Sequence, residues 1–206
     1  MRETMALLLE RGAAGVQHPG GDLYSHLQRT GDRLERWGAA ADLVLAGRWH
    51  AAYGTDDFGD ALFTIDERDA VREAIGEEAE AIVYRYASCD RRFVYPQIAL
   101  TPCPIQFRDR FTGAVTLADG AQVRTFAELT VANELDVLEH AEELRRVHGA
   151  TLAALFTSWA PLLSGSARRD VGVFAATLTA VGATDAVEHA DDEARSDTTP
   201  VRAEGA

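Results

Sequence analysis

The chain has 206 residues, and 47% of them are hydrophobic, which is enough material for one domain with a full core. Its formal net charge of -13 argues against nucleic acid or an anionic membrane surface as a partner, because phosphate groups repel a negative field. All of its basic residues are arginines, which excludes a Schiff base on a lysine amine.

Two further absences in the sequence bear on localisation. No apolar run approaches the roughly 18 residues of a membrane-spanning helix, and the run from Met5 to Leu9 is too short for the core of a signal peptide. Cys89 and Cys103 are too few for a disulfide framework, so free thiols in a reducing compartment are expected. We therefore expect a cytoplasmic protein without a membrane partner, and the sequence leaves its oligomeric state open.

A histidine-containing turn, His18-Pro19-Gly20-Gly21, precedes the first long predicted helix, which has Asp22 as its N-cap. His18 lies just outside that helix. It either completes a metal-binding shell or hydrogen-bonds the turn.

A helical hairpin is predicted next, with an amphipathic helix over Asp22–Trp37, a turn at Gly38 and an apolar helix over Ala39–Ala52. His26 and His50 each lie twelve residues from Gly38, so at about 1.5 Å per residue both lie roughly 18 Å from the turn. Equal distances from the turn place two side chains of an antiparallel helix pair at the same height.

Both histidines border the predicted interior of this hairpin. His50 projects from an apolar stripe of its helix, and His26 flanks the stripe that contains Leu23 and Leu27. Two neutral imidazoles that converge in this way are good ligands for zinc, iron or manganese. Alternatively each is a hydrogen-bonded core residue, which is the commoner role of a histidine on an apolar face.

The strings HPGGDLYSHL, LAGRWHAAYGT and ANELD, within Gln17–His140, resemble a poorly characterised branch of the HD-domain superfamily. That superfamily contains helical, metal-dependent proteins, mostly phosphohydrolases, so the resemblance implies a mainly α, HD-domain-like helical bundle. It also implies that His26 and His50 are metal ligands and that a late helix returns Asp136 to the metal.

One position departs from the superfamily pattern, in which an aspartate follows the second histidine. Ala51 stands there, so the bridging carboxylate of a dinuclear site is missing. In the loop that follows, Asp56 or Asp57 either replaces that carboxylate or is solvated in an ordinary turn. The hydroxyl groups of Tyr53 and Thr55 in the same loop are predicted to act on substrate beside the site.

Two helices are predicted after this loop, over Asp66–Ile75 and Glu77–Ser88. They lead to Arg91 and Arg92, which either clamp an anionic substrate with bidentate hydrogen bonds or pair with surface carboxylates. Arg91 is the candidate for a catalytic role.

The helical pattern breaks over residues 93–124, where prolines recur and a β-hairpin with Asp119-Gly120 at its turn is predicted. We expect this insertion to lie on the helical body near the mouth of the site. Four apolar side chains are expected to pack it down, namely Phe107, Phe111, Val115 and Leu117.

Thr125 and Glu128 form a predicted capping box for the next helix, Leu129–Val147. Asp136 and His140 share one stripe of it. His140 is either a second ligand from this helix or an outer-shell partner of Asp136, and otherwise the stripe is a solvated helix face.

Apolar helices over Thr151–Leu163 and Arg168–Val181 complete a single predicted domain of residues 1–183. Residues 184–206 are short of large apolar side chains and predict a disordered acidic tail.

A site of His26, His50 and Asp136, with His18 as a fourth candidate, would leave open positions on a divalent iron, manganese or zinc ion. One use of such a site is hydrolase- or lyase-type chemistry on a small polar molecule. A second is a non-haem iron oxygenase that uses the same ligands. The third alternative is a metal-free enzyme or a small-molecule binding module on a degenerate HD-like fold.

Overall fold

The computed structural model of the protein describes residues 2–56, 58–98 and 102–178. This part of the chain is mainly helical with two small antiparallel β-hairpins, which confirms the coarse prediction. The helices are α1 (Arg2–Glu10), α2 (Leu23–Trp37), α3 (Ala41–Trp49), α4 (Arg68–Ile75), α5 (Glu77–Ser88), α6 (Arg91–Ile98), α7 (Gly120–His140), α8 (Glu142–Ser158) and α9 (described over 165–178). The strands are β1 (Gln17–His18), β2 (Gly21–Asp22), β3 (Ile105–Arg108) and β4 (Val115–Ala118).

The predicted helical hairpin is formed by α2 and α3. The Asp22 carboxylate accepts a hydrogen bond from the Ser25 amide at 2.9 Å and caps α2, which ends at Gly38 with a left-handed φ of +78°. The second helix is shorter than predicted, because α3 ends at Trp49 and residues 50–53 form a turn. His50 is therefore the residue that closes α3.

Two glycines let α2 and α3 approach closely. A Cβ atom on Gly47 would overlap the Leu34 side chain and lie 3.3 Å from the Gly31 Cα, and a Cβ on Gly31 would overlap the Arg48 side chain. A larger residue at either position would force these neighbours to move. This contact fixes the register of the two helices and hence the relative heights of their histidines.

The core consists of two apolar clusters that share α5. Ala79 and Val83 on one face of α5 pack in the cluster around Trp49, with residues from the first five helices. Tyr86 on the other face packs in the cluster around Trp159, which is built mainly by the later helices and the second hairpin. α5 therefore joins the front and the back of the described fold.

The prediction of an irregular insertion over 93–124 is wrong in part. Residues Arg91–Ile98 form α6, although Pro96 removes one hydrogen bond from it. The Gln97 side chain donates to the Gln106 carbonyl at 3.0 Å and accepts from the Gln106 amide at 3.1 Å, so it ties the helix to β3.

The second hairpin is shifted toward the N-terminus relative to the prediction, with its turn over residues 109–114. Phe107 and Ala118 face the core, whereas Val115 and Leu117 are exposed, contrary to the prediction that they pack it down. The reason is strand alternation, since Leu117 pairs with Gln106 on the outward face of the two-stranded ribbon.

The predicted helix Leu129–Val147 is also corrected. α7 begins at Gly120, because the Asp119 carboxylate accepts from the Ala121 and Gln122 amides and forms a capping box with Gln122. It ends at His140, and α8 starts at Glu142. An Asp-Gly pair is typical of both hairpin turns and helix starts, which explains the error.

Asp57, the end of the predicted helix to Val181 and the predicted tail over 184–206 lie outside the described residues. Within the described ranges, each helix is too short or too polar to cross a membrane.

Candidate functional site

Three helices meet at the buried histidines. His26 lies on α2, His50 closes α3, and Asn133 and Asp136 lie one turn apart on α7. All four side chains are buried, and His26 and Asp136 have no exposed surface.

The structure brings the two imidazoles together. The Nε2 atom of His26 lies 3.2 Å from the Nε2 atom of His50, and the ring planes are nearly perpendicular at 82°. The equal spacing from Gly38, together with the close helix packing, is what places them at the same height.

The hydrogen bonds at Nδ1 define the protonation of both rings. Burial raises the pKa of Asp136, but hydrogen bonds from His26 and Arg29 outweigh it and lower that pKa to about 2, so the carboxylate is ionised. Its Oδ2 lies 2.7 Å from His26 Nδ1, which must therefore carry the proton that it donates. His50 Nδ1 likewise donates to the Gly47 carbonyl at 2.8 Å. When both imidazoles are neutral, each Nε2 atom is unprotonated and carries a lone pair that can accept a hydrogen bond or bind a metal.

A third acceptor atom contacts His26 Nε2. Asn133 Oδ1 lies 2.8 Å from His26 Nε2. The Asn133 amide is oriented by its Nδ2, which donates to Glu134 Oε1 at 3.1 Å. Two imidazole nitrogens and an amide oxygen are thus close together without a donor between them. A proton or a metal ion would remove the repulsion between their lone pairs.

Asp136 is not placed where the sequence predicts a ligand. It contacts the Nδ1 edge of His26, whereas His50 faces the opposite Nε2 edge, so the three side chains do not surround one centre. Both Asp136 oxygens also accept from Arg29, at 2.8 and 2.9 Å. The carboxylate therefore orients the His26 ring and fixes its tautomer.

A cavity of about 260 Å³ opens beside this point. His18 is stacked on His26 at its edge, with ring centroids 3.9 Å apart. Burial and then the charge of His26 lower the pKa of His18 to about 4, so the ring is neutral at pH 7. The His18 loop is held against the end of α7 by Gly20, where a Cβ atom would overlap His140.

Burial also determines the charge of His50, which lines the same cavity. Burial and then the charge of His26 lower the pKa of His50 to about 3. His50 is therefore a neutral imidazole at physiological pH, which is the form that binds metals and accepts protons.

Thr55 and Arg91 lie on the cavity wall. The Arg91 guanidinium is 3.2 Å from Glu134 Oε1 and 3.2 Å from the Tyr86 hydroxyl. The Arg91 backbone amide donates to Asp56 Oδ2 at 3.1 Å, so Asp56 does not replace the carboxylate missing at position 51.

Tyr53 is not brought to the cavity. Its hydroxyl donates to Glu80 Oε1 at 2.9 Å, and burial followed by the charge of Glu80 raises its pKa. Glu80 also accepts two hydrogen bonds from Arg68, at 2.6 and 2.9 Å. This buried cluster anchors the loop after His50 to α4 and α5.

His140 lies at the edge of the site. Its Nδ1 is 2.8 Å from the Asp136 backbone carbonyl and 3.5 Å from the nearer Asp136 carboxylate oxygen, so it is not at the Nε2 convergence. Among the residues that the structure describes, no three His, Cys, Asp or Glu side chains form a group that would hold a metal ion. A metal here would take Asn133 as its third protein donor.

Two functional contacts were missed by sequence reasoning. Arg29 is three residues after His26 on α2, a spacing that puts both on one helix face and could have indicated a shared partner. The role of Asn133 as an acceptor for His26 had no sequence signal beyond its position one turn before Asp136.

Comparison with known proteins gives one match. A family model described as a domain of unknown function (DUF6817) matches residues 7–91, fewer than half of the 206 residues. No curated protein and no solved structure matches the chain. The matched segment contains His18, His26, His50 and Arg91 and stops before Asn133.

Proposed function

We propose that the protein is a metal-dependent enzyme that acts on a small polar molecule with hydrolase- or lyase-type chemistry. The observation that carries the proposal is the convergence of His26 Nε2, His50 Nε2 and Asn133 Oδ1 next to a cavity. We also propose that the helical bundle is a divergent HD-domain-like fold. The two histidines on successive helices and the aspartate on a late helix support that relationship.

The donor set fits a borderline transition metal. Two ligands of a tetrahedral zinc ion, each about 2.0–2.1 Å from it, are separated by roughly 3.3 Å. The histidine nitrogens are 3.2 Å apart, close to this value, whereas Asn133 Oδ1 is nearer to His26 Nε2, at 2.8 Å. The two imidazole donors suit zinc or iron better than magnesium or calcium, and the amide oxygen also suits manganese. When bound, such an ion would activate water or polarise a substrate oxygen.

The protein's own residues would bind and orient the substrate. Arg91 and the Thr55 hydroxyl line the cavity and offer hydrogen bonds to a polar or anionic group. The neutral His18 ring is 3.2 Å from the Pro19 carbonyl through Nδ1, which leaves Nε2 to accept a proton. The hydrogen bond to Asp136 holds the His26 ring in one orientation and one tautomer while substrate is bound.

A second candidate is a metal-free acid–base enzyme. The distance of 3.2 Å between the two Nε2 atoms is also that of a hydrogen bond, in which a doubly protonated His26 donates to His50. The ionised Asp136 lies 2.7 Å from the Nδ1 atom of the same ring. The same residues would then exchange a proton with a substrate in the cavity.

Metal analysis of protein purified without added chelator tests the first candidate. We expect about one transition-metal ion per chain, lost in His50→Gln and retained in His140→Gln, which removes a histidine from the same region but outside the convergence. Circular dichroism checks that both variants remain folded. Folded wild-type protein without metal would refute the metal-dependent proposal and favour the metal-free enzyme.

A further inference from the structure

A second cavity of about 300 Å³ lies between α5 and α7, separate from the histidine site. Tyr86 forms part of its wall, and the same ring contacts His50 edge-on with centroids 5.4 Å apart. The walls are predominantly apolar and include Ala81, Ile82, Tyr86, Phe126 and Leu129. The volume is at the lower end of the range of about 300–1,000 Å³ that is usual for small-ligand pockets.

One cation, Arg85, lines this apolar cavity. It is partly buried, and its guanidinium lies 5.9 Å from the centre of the Phe107 ring. Within the described part of the chain, no carboxylate lies within ion-pair distance of it. Burial lowers the pKa of Arg85, so the charge is held in surroundings that solvate it poorly.

The acidic residues nearby do not neutralise Arg85. The negative charge of Asp119 acts to raise the pKa of Arg85. The Asp119 carboxylate, however, accepts hydrogen bonds from the amides of Ala121 and Gln122 at the start of α7. Glu78 lines the cavity but is exposed to solvent, where its charge is screened. The guanidinium therefore lacks the carboxylate that a partly buried arginine normally has.

We propose that this cavity binds a small amphipathic monocarboxylate, with the carboxylate paired to Arg85 and the alkyl chain between α5 and α7. The planar guanidinium fits a carboxylate with two parallel hydrogen bonds. Burial of the alkyl chain against the apolar walls removes apolar surface from water and so favours binding. This second site does not depend on the function proposed for the histidine site.

Isothermal titration calorimetry with octanoate tests the proposal on the full-length protein. We expect one site per chain. Arg85→Gln should weaken binding by about tenfold or more, because a charge-assisted hydrogen-bond pair is lost. The matched control is Arg124→Gln, which removes an exposed arginine of α7 that does not line the cavity and should leave the affinity unchanged.

A third variant tests the cavity independently of the charge. Ala81→Trp places an indole in the cavity and should abolish octanoate binding while circular dichroism shows a folded protein. Equal octanoate affinity in wild type and Arg85→Gln would overturn the proposal, as would 1-octanol binding as tightly as octanoate. Absence of octanoate binding to the folded wild type would overturn it too.

Discussion

The Arg29 guanidinium and the Asp136 carboxylate form a two-point ion pair, with Nε–Oδ1 at 2.8 Å and Nη2–Oδ2 at 2.9 Å. Oδ2 also accepts from His26 Nδ1 at 2.7 Å. Both oxygens are thus occupied, and the carboxylate acts on the site through the ring it orients. The buried negative charge in turn depends on Arg29 for compensation.

We expect Arg29→Met to lower the free energy of unfolding by roughly 1–3 kcal/mol, since it leaves a buried carboxylate with one charged partner fewer. The Arg29 side chain is 30% exposed, which keeps the loss below that of a fully buried pair. Urea denaturation measures the change. Arg36→Met, at an exposed position in the last turn of α2, is the control and should change stability by less than about 0.5 kcal/mol. Equal losses in the two variants would contradict this role of Arg29.

Two glycine substitutions, one inside the contact between α2 and α3 and one outside it, should have opposite effects on stability. Gly47→Ala should destabilise the protein by about 1–3 kcal/mol, because the added methyl overlaps Leu34 and crowds Gly31. Gly172→Ala in α9 meets no atom within 4 Å and should stabilise by up to about 1 kcal/mol through helix propensity. Thermal denaturation compares them. A stabilised Gly47→Ala would show that the helices have room to separate.

The hairpin of α2 and α3 was predictable because its signals are local and regular. A fixed rise per residue and a single glycine turn were enough to place His26 and His50 at one height. The Asp119-Gly120 pair was not decidable in the same way, since the same two residues start a helix or close a hairpin. The capping box with Gln122 and the packing of α7 in the core select the helix there.

The contacts of Asp136 were beyond sequence reasoning for a different reason. Periodicity puts it on the inward face of its helix, but the edge of the His26 ring that it meets depends on the rotation of α7 against α2. Likewise Tyr53 lies three residues after His50 but turns toward Glu80 instead of the cavity. Because α3 ends at Trp49, helical periodicity no longer sets the direction of Tyr53.

Titration of His50 predicts a pH dependence of stability. Burial and then the charge of His26 lower its pKa from 6.5 to about 3, so the unfolded chain binds more protons than the folded chain between these values. The contribution of His50 to the free energy of unfolding is complete above pH 6.5. It is lost as the pH falls toward 3, by up to about 1.4 kcal/mol per pH unit.

Chelator-treated His50→Gln should therefore show a shallower decline in unfolding free energy than wild type between about pH 6.5 and pH 4. Asp136 does not confuse this comparison, because its pKa is lowered from 3.8 to about 2 and it titrates in a more acidic range. Urea denaturation across this interval gives the two slopes. Parallel slopes would mean that His50 is not held neutral in the folded protein.

Ala51 offers a direct test of the metal proposal, because it lines the cavity next to His50 and is only 2% exposed. Ala51→Asp adds a carboxylate at the position where the proposed HD-domain relationship implies one. We expect the affinity for a divalent transition metal to rise by about tenfold or more, since a charged oxygen joins neutral donors. Competition with a chromophoric chelator measures the affinity.

The control for this change is Ala51→Asn, which has nearly the same volume without the charge. The metal-free Ala51→Asp protein should lose roughly 1–3 kcal/mol of stability through burial of the carboxylate, and added metal should restore it, because the ion binds the folded state. Ala51→Asn should lose stability without recovery on metal addition. If neither the affinity nor the recovery distinguishes the two variants, the metal-free acid–base enzyme becomes the better account of the site.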